Sequence, residues 1–436
     1  MEMIQKMLIN VSEGNLEGVR EILEADVEGI SIRMTGFTSP LLIAAQAGHT
    51  DIVSELLERG ASLIDCTSTR HTPLILAAEE GHLSIVKELL QHGANVKAHT
   101  DDGATALSMA AEMGRSSVCS LLLDHGADLE ERDFEGNTPL RQAVDWDHPG
   151  QAETVSILLK RGANVHTVNN SGFTPILSAA YEGYASIVEE LLQWGANVND
   201  RAIDGDTPLH IATREGHSSV STVLLDHGEA LDERDSLGNT AMAIAASEGH
   251  LDTVSLLLER GAEVDIHNHQ GATPLLAVSQ KGHTAIARKL LEQGASVKDL
   301  SDDGHTPLLL ATDESHSEMC SLLLAYGSNV EEESPHTKFT ALHMAASKGH
   351  NETLKTLLSH GANVGSLEHT GSTALHIASQ AGHLTCVLSL IEAGASITLT
   401  REDGIHPIHL AAGANKAAVV RVLLQHGCDK ELVGSH

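Results

Sequence analysis

Aromatic residues are scarce in this chain of 436 residues, which contains only four Phe, two Trp and three Tyr. A core built on large rings is therefore excluded, and Leu, Ile, Val and Ala must fill the interior. Basic residues are also few, because 27 Lys and Arg stand against 60 Asp and Glu, giving a formal net charge of −33. Since binding to phosphate depends on Lys and Arg, we expect neither a nucleic acid partner nor attachment to an anionic membrane surface.

Long apolar runs and paired cysteines are absent as well. No stretch of about 18 apolar residues occurs, so the sequence predicts no membrane insertion. The N-terminal residues MEMIQKMLIN lack the basic and apolar regions of a signal peptide. The five cysteines lie far apart without a C-x-x-C pair, which favours free thiols in a reducing compartment. We therefore expect a protein of the cytoplasm or the nucleus.

A motif of the form G-x-T-P-L-x-x-A-A-x-x-G-H recurs along the chain. Its anchor residues are spaced by 33 residues, except for one spacing of 36 and one of 34. The twelve anchors define repeats 1 to 12 in chain order, and a partial unit that matches only the second half of the pattern precedes them. The anchors are Ser39, Thr72, Thr105, Thr138, Thr174, Thr207, Thr240, Thr273, Thr306, Thr340, Thr373 and His406.

Each repeat predicts two short helices, as repeat 2 illustrates. Thr72 followed by Pro73 is typical of a helix start, because the hydroxyl caps free N–H groups and proline needs no partner at the first position. Gly81 interrupts the pattern, and a second helix is predicted from about Ser84 to Gln91, ended by Gly93. Two such short helices cannot bury their own apolar faces, so the repeats must stack to form a core.

The residues Thr207-Pro208-Leu209-His210, Thr340-Ala341-Leu342-His343 and Thr373-Ala374-Leu375-His376, together with the period, resemble the ankyrin repeat family. The resemblance covers essentially the whole chain. It implies an all-α fold with short β-hairpin loops, in which residues 1–436 form a single helical repeat solenoid. Residues 1–34 would be a partial N-terminal capping repeat and residues 35–436 about twelve repeats. The sequence departs from the motif where other residues replace its histidine, at Ile75, Ser108, Arg141, Leu177, Ala243, Leu276 and Leu309.

Histidines and cysteines invite a metal or catalytic interpretation, which their positions do not favour. Seventeen of the 28 histidines fall at recurring repeat positions, where a ring nitrogen is expected to bond a neighbouring backbone carbonyl. His267 and His269 alternate in one loop without a third ligand nearby, so we expect no metal. Cys119 and Cys320 occupy a position that valine fills in other repeats, which indicates a core role. No nucleotide-binding or nucleophile motif occurs, and we expect neither a cofactor nor an enzyme.

Specificity should lie where stacking leaves residues free, at the hairpin tips and at the end of the first helix, seven and eight residues after each anchor. Repeats 4 and 5 place aromatic residues there, next to an acidic side chain and a three-residue insertion between Asp145 and Glu153. This combination predicts a binding hot spot on the concave face that the resemblance implies. In the alternative interpretation, the two phenylalanines pack along hairpin stems and the tryptophan closes the insertion. The residues concerned are Phe134, Trp146, Phe173, Tyr181 and Glu182.

A second candidate surface is acidic. Carboxylates occupy the same positions in repeat 3, at Asp101, Asp102 and Glu112, and in repeat 9, at Asp302, Asp303, Asp313 and Glu314. They could steer a basic partner to the surface. Alternatively, they keep a stackable solenoid soluble and monomeric.

The resemblance thus predicts a non-catalytic scaffold that binds partner proteins or peptides on its concave face. Alternatively, the chain is a recruitment or regulatory module of an enzyme complex, such as a ubiquitin ligase substrate adaptor, or the repeat part of a larger receptor or channel. No appended motif follows the last predicted helix, Val419–Gln425, and this leaves open that the chain is part of a longer protein.

Overall fold

The computed structural model describes residues 2–25, 39–145, 148–335 and 337–428. This part of the chain contains 26 helices in two compact units, residues 1–230 and residues 231–436. The single solenoid over residues 1–436 stays a prediction, and each unit is described by itself.

The N-terminal unit contains seven helix pairs in the residues that the structure describes. They are α1 Glu2–Ser12, α2 Leu16–Ala25, α3 Pro40–Ala47, α4 Thr50–Glu58, α5 Pro73–Glu80, α6 Leu83–Gln91, α7 Ala106–Glu112, α8 Ser116–Asp124, α9 Pro139–Gln142, α10 Gln151–Lys160, α11 Pro175–Glu182, α12 Ala185–Gln193, α13 Pro208–Arg214 and α14 Ser218–Asp226.

The C-terminal unit contains six helix pairs in its described residues. They are α15 Ala241–Glu248, α16 Leu251–Glu259, α17 Pro274–Lys281, α18 Thr284–Glu292, α19 Pro307–Asp313, α20 Ser317–Ala325, α21 Ala341–Lys348, α22 Asn351–Ser359, α23 Ala374–Ala381, α24 Leu384–Glu392, α25 Pro407–Gly413 and α26 Ala417–Gln425.

The first helix of each repeat begins after its anchor, as the sequence predicts. In repeat 2 the hydroxyl of Thr72 accepts a hydrogen bond from the N–H of Ile75 at 3.3 Å, and proline occupies the first helical position. In repeat 6 a histidine completes the cap, since Nδ1 of His210 accepts from the N–H of Thr207 at 3.1 Å. The recurring Thr and His residues therefore satisfy backbone donors that a helix start leaves free.

Glycines end both helices of repeat 2 at the predicted places. Gly81 and Gly93 have φ angles of 85° and 88°, which only glycine adopts without strain. The second helix begins at Leu83, one residue before the predicted start, and the last helix begins at Ala417 instead of Val419. Differences of this size are ordinary at helix termini.

The core consists of small and branched aliphatic side chains. Within each unit, first helices of successive repeats pack on each other, as α5 does on α7, and each also packs on the second helix of its own repeat. Ala77 and Ala110 are completely buried between these helices, and Leu89 and Leu122 fill the space beneath them. The scarcity of aromatic residues follows, because helices that approach over alanine leave little room for rings.

The connections between repeats form short loops and, in the described residues, no extended strands. In repeat 4 the N–H of Asp133 bonds the carbonyl of Asn137 at 3.1 Å, which closes a tight turn. The carboxylate of Asp133 also accepts from the backbone N–H groups of Glu135 and Asn137, at 2.9 and 2.8 Å. Neighbouring loops are joined, since the N–H of Phe134 donates to the carbonyl of Asp102 at 2.8 Å. These bonds hold the hairpin tips in a regular row.

The N-terminal pair differs from its sequence expectation, because both of its helices are present. The repeat pattern matches only residues of α2 and the turn before it. Helix α1 nevertheless packs against α2 and α3, with Met7 and Val11 buried.

None of the helices in the described residues is long and apolar enough to cross a membrane.

Candidate protein-binding groove

A groove of about 560 Å³ lies where the first helices of repeats 4 and 5 end. It forms beside an unusually short helix, because α9 has four residues whereas the other first helices of repeats 1 to 12 have seven or eight. At 1.5 Å per residue, α9 therefore ends about 5 Å early. The lining residues are Arg141, Asp145, Ser171, Phe173, Ser178, Tyr181, Glu182 and Tyr184.

The three-residue insertion explains the short helix and how repeat 4 stays attached to repeat 3. Gln151 donates from Nε2 to the carbonyl of Glu112 at 3.4 Å, and α10 starts at the same glutamine. In repeat 2 the turn histidine, three positions earlier relative to its anchor, makes the corresponding bond, since Nε2 of His82 lies 3.0 Å from the carbonyl of Gln46. In repeat 4 this contact with the preceding repeat is made by Gln151, at the end of the insertion.

The groove combines ring surfaces with carboxylates. The Tyr181 side chain is 51% exposed, and Phe173 and Tyr184 are half-buried beside it. Arg141 and Asp145 form an ion pair one helical turn apart. Burial raises the pKa of Asp145 in spite of this pair. The pKa of Glu182 is raised as well, first by burial and then by the negative charge of Asp145.

The structure brings three of the five hot-spot residues together. Phe173, Tyr181 and Glu182 line the groove. Phe134 does not line it, because its ring lies on the turn of repeat 3, where a Cβ on Gly103 would come within 2.8 Å of Cδ1. Its side chain nevertheless remains 70% exposed. Trp146 lies outside the described residues.

The carboxylates of repeat 3 belong to the N-terminal unit and remain at the surface. Asp101 is exposed, and its side chain lies 3.9 Å from Nε of Arg70. Asp102 is also exposed but accepts a hydrogen bond from the hydroxyl of Thr100, which lowers the pKa of Asp102. This second carboxylate therefore stabilises its own turn.

The carboxylates of repeat 9 belong to the C-terminal unit and divide in the same way. Asp302, Asp303 and Glu314 are exposed. Asp313 pairs instead with Nζ of Lys348 at 2.6 Å. Three of the four carboxylates thus present their charge to solvent.

The comparisons with known proteins decide the family. The family model described as "Ankyrin repeats (3 copies)" matches residues 7–100, 95–169, 149–202, 176–268, 261–334 and 326–401, and the model "Ankyrin repeat" matches residues 403–434. The chain belongs to the ankyrin repeat family. Ankyrin repeats are generally protein-interaction modules, and the all-α repeat fold predicted from the sequence is confirmed.

One similar solved structure is the human ASB11 ankyrin repeat domain, which is 30% identical to this chain. The alignment covers 52% of this chain and 99% of that domain, with a TM-score of 0.47. No curated protein shows a significant match.

Arg141 and Tyr184 line the groove but are not among the binding residues predicted from the sequence. Arg141 stands at the motif histidine position of repeat 4, and Tyr184 stands at the turn histidine position of repeat 5. The replacement of a recurring histidine by another residue was thus the signal in the sequence that could have identified both residues. The hot-spot prediction considered hairpin tips and first-helix ends but not these two positions.

The ankyrin turn histidines have the structural role that the sequence predicts. Nε2 of His217, His316 and His383 each lies 3.0 Å from a carbonyl of the preceding repeat, and Nδ1 of His92 lies 3.0 Å from the carbonyl of Glu88. In the part of the chain that the structure describes, no group of three His, Cys, Asp or Glu side chains could hold a metal ion.

The buried cysteines belong to the core, in agreement with their repeat positions. Cys119, Cys320 and Cys386 are completely buried. Burial raises the pKa of the Cys119 thiol to about 12 and that of Cys320 to about 11. Thiols with such pKa values carry almost no thiolate at neutral pH and are poor nucleophiles.

Proposed function

We propose that this ankyrin repeat chain is a non-catalytic binding module and that the groove of repeats 4 and 5 captures its partner protein. The observation that carries the proposal is the groove itself, in which Phe173, Tyr181 and Tyr184 meet at the end of a shortened helix. Aromatic residues in a concave, partly dry site are the usual anchors of protein interfaces. The strongly acidic composition supports a protein partner over a nucleic acid.

The proposal extends to the compartment. Cys119, Cys320 and Cys386 are completely buried as thiols, without a disulfide among the described residues. A reducing compartment, either the cytoplasm or the nucleus, is therefore the proposed location.

A substitution experiment tests the groove. Tyr181→Ala combined with Phe173→Leu removes two ring surfaces and should reduce recovery of the partner at least about tenfold, as hot-spot substitutions do. The measurement is affinity capture with the full chain, followed by quantitative mass spectrometry. Trp194→Ala is the matched control, because Trp194 is an aromatic residue of the same repeat, 47% exposed and outside the groove.

The melting temperature separates binding from folding. Both variants should melt close to the wild-type chain, because the altered side chains are exposed or half-buried. Equal recovery of the same proteins by the double variant and by the wild type would refute the groove as the binding site. A large loss of thermal stability in the double variant would instead assign the rings to packing.

A further inference from the structure

The groove contains more negative than positive charge. Asp145 and Glu182 lie in it, and Arg141, which is already paired with Asp145, is the single cation among the described lining residues. Asp133 and Glu135 add negative charge near Asp145. The groove therefore attracts a cation and repels a second carboxylate.

Its carboxylates are also poorly compensated. Among the described residues, Glu182 has no salt-bridge partner, and its pKa is raised first by burial and then by repulsion from Asp145, with the charges of Arg141 and His217 acting in the opposite direction. An incoming positive group would relieve this repulsion. A neutral or acidic ligand would leave the repulsion in place.

The rings specify which kind of cation fits. A guanidinium group is planar and weakly hydrated, so it can stack on an aromatic face while it donates hydrogen bonds in its own plane to a carboxylate. Tyr181 and Phe173 supply faces, and Glu182 and Asp145 supply acceptors in the same groove. An ammonium group is more strongly hydrated and cannot stack. We infer that the groove binds an arginine side chain from a basic segment of the partner, and this inference rests on the proposed function.

The neighbouring repeats indicate how that segment runs. Glu79, Glu112 and Asp145 each stand seven residues after the anchor of repeats 2, 3 and 4. Stacked helices lie about 8–10 Å apart, and a chain in the polyproline II conformation advances about 3.1 Å per residue with three residues per turn. Basic residues at every third position of such a peptide would therefore lie on one face and match successive carboxylates. The pKa values of Glu79 and Glu112 are raised mainly by burial, so both charges would gain from a cationic neighbour.

Synthetic fluorescent peptides and the full chain, at physiological ionic strength, test this inference. The first peptide carries arginine at every third position of a glycine and serine background. The second has lysine in place of arginine, the third has the same arginines at every second position, and the fourth has glutamate. We expect the first peptide to bind at least about tenfold more tightly than the others, measured by fluorescence anisotropy.

Variants locate the binding. Glu182→Gln and Tyr181→Leu should each weaken the first peptide about tenfold, because one removes the charge and the other removes the ring face. Glu314→Gln is the matched control, since Glu314 and Glu182 both stand eight residues after the anchors of their repeats. Glu314 is exposed and does not line the groove. It should leave the affinity unchanged.

Several results would overturn the inference. Equal affinity for the arginine and lysine peptides, or no effect of Glu182→Gln, would reduce the binding to diffuse charge attraction. Preference for the glutamate peptide would make Arg141 the recognition group and the partner acidic. If the arginine peptide fails while Tyr181→Ala with Phe173→Leu still abolishes partner capture, the groove remains the site and only its occupant is wrong. If the proposed function itself fails, the result is different, because the Tyr181→Ala and Phe173→Leu double variant would still capture the partner.

Discussion

At the residue scale, the turn between the two helices of a repeat also joins that repeat to its neighbour. In the C-terminal unit, the ring of His383 lies on Gly349 of the preceding repeat, where a Cβ would come within 2.6 Å of Nδ1. The same ring bonds the carbonyl of Ser347 at 3.0 Å. The glycine is therefore needed for two reasons, namely its left-handed φ and the space that the histidine occupies.

Two alanine substitutions separate these reasons. Gly361→Ala places a Cβ in open space at a φ of 90°, so it should cost only the strain of a left-handed alanine, roughly 1 kcal/mol. Gly349→Ala has a similar φ of 80° but displaces the ring of His383, and it should cost about 1 kcal/mol more through the lost hydrogen bond. Urea unfolding of the full chain measures both. Equal losses of stability would show that the histidine contact contributes nothing.

The groove benefits from the same type of contact. Nε2 of His217, in repeat 6, lies 3.0 Å from the carbonyl of Tyr181. The backbone that carries a groove ring is thereby held by the next repeat before any partner arrives. Such preorganisation lowers the entropic cost of binding.

At the element scale, the start of a first helix is coupled to the hairpin that follows. In repeat 11, Nδ1 of His376 accepts from the N–H of Thr373 at 3.2 Å, and Nε2 faces the carbonyl of Ile405 at 3.3 Å. This arrangement requires a neutral ring, because a proton on Nδ1 would oppose the N–H donor. Burial, and to a lesser degree the charges of Arg401 and His406, lowers the pKa of His376 to about 4.

This coupling predicts a pH dependence of stability. The ordinary pKa of histidine is about 6.5, so the unfolded chain takes up a proton there before the folded chain does. The free energy of unfolding should therefore fall by about 2 kcal/mol between about pH 7 and about pH 5 through this residue. Urea unfolding at each pH gives the free energy of unfolding of the wild type and of His376→Gln, and the difference between the two isolates the contribution of this histidine. A difference that stays constant with pH would contradict the prediction.

Helix α9 shows how an insertion creates a site while the second helix of the same repeat stays packed in the core. Gln151 replaces the turn histidine as the donor to repeat 3, so the three additional residues alter only the end of α9 and the turn. Val155 and Leu158 of α10 remain completely buried, as the corresponding residues of other second helices are. A change confined to a turn can therefore open a groove at little cost to the core.

At the scale of the whole molecule, the net charge of −33 corresponds to two or three negative charges per repeat. Exposed charges attract an oppositely charged partner over about 10 Å at physiological salt and over longer distances at low salt. The acidic surface should therefore control how fast a basic partner arrives, whereas the groove controls how long it stays.

Stopped-flow kinetics with the arginine peptide tests this division. The association rate should fall about tenfold or more between about 20 mM and about 150 mM salt, and the dissociation rate should change much less. Asp101→Asn, which removes an exposed carboxylate in the same unit as the groove, should lower the association rate at low salt only. If the association rate does not depend on salt concentration, the surface carboxylates do not steer the partner, and their role is to keep the protein soluble.

Much of this protein could be predicted from its sequence. Within one repeat every structural signal is local, because Thr72 and Pro73 start a helix, Gly81 ends it, and the aliphatic spacing of Ile85 and Leu89 defines the buried face. The period then requires stacking, since a two-helix unit cannot bury its own apolar surface. The repeat fold, the roles of the turn histidines and the burial of Cys119 follow from these patterns alone.

The groove depended on the tertiary structure. The sequence placed Phe173, Tyr181 and Glu182 at free positions, but it could not show that Arg141 and Tyr184 would join them or that Phe134 would lie on Gly103 instead. Local rules determine which residues a repeat leaves free. Which of those residues meet depends on how an insertion shortens α9 and shifts a contact to Gln151, and that is settled only when neighbouring repeats pack together.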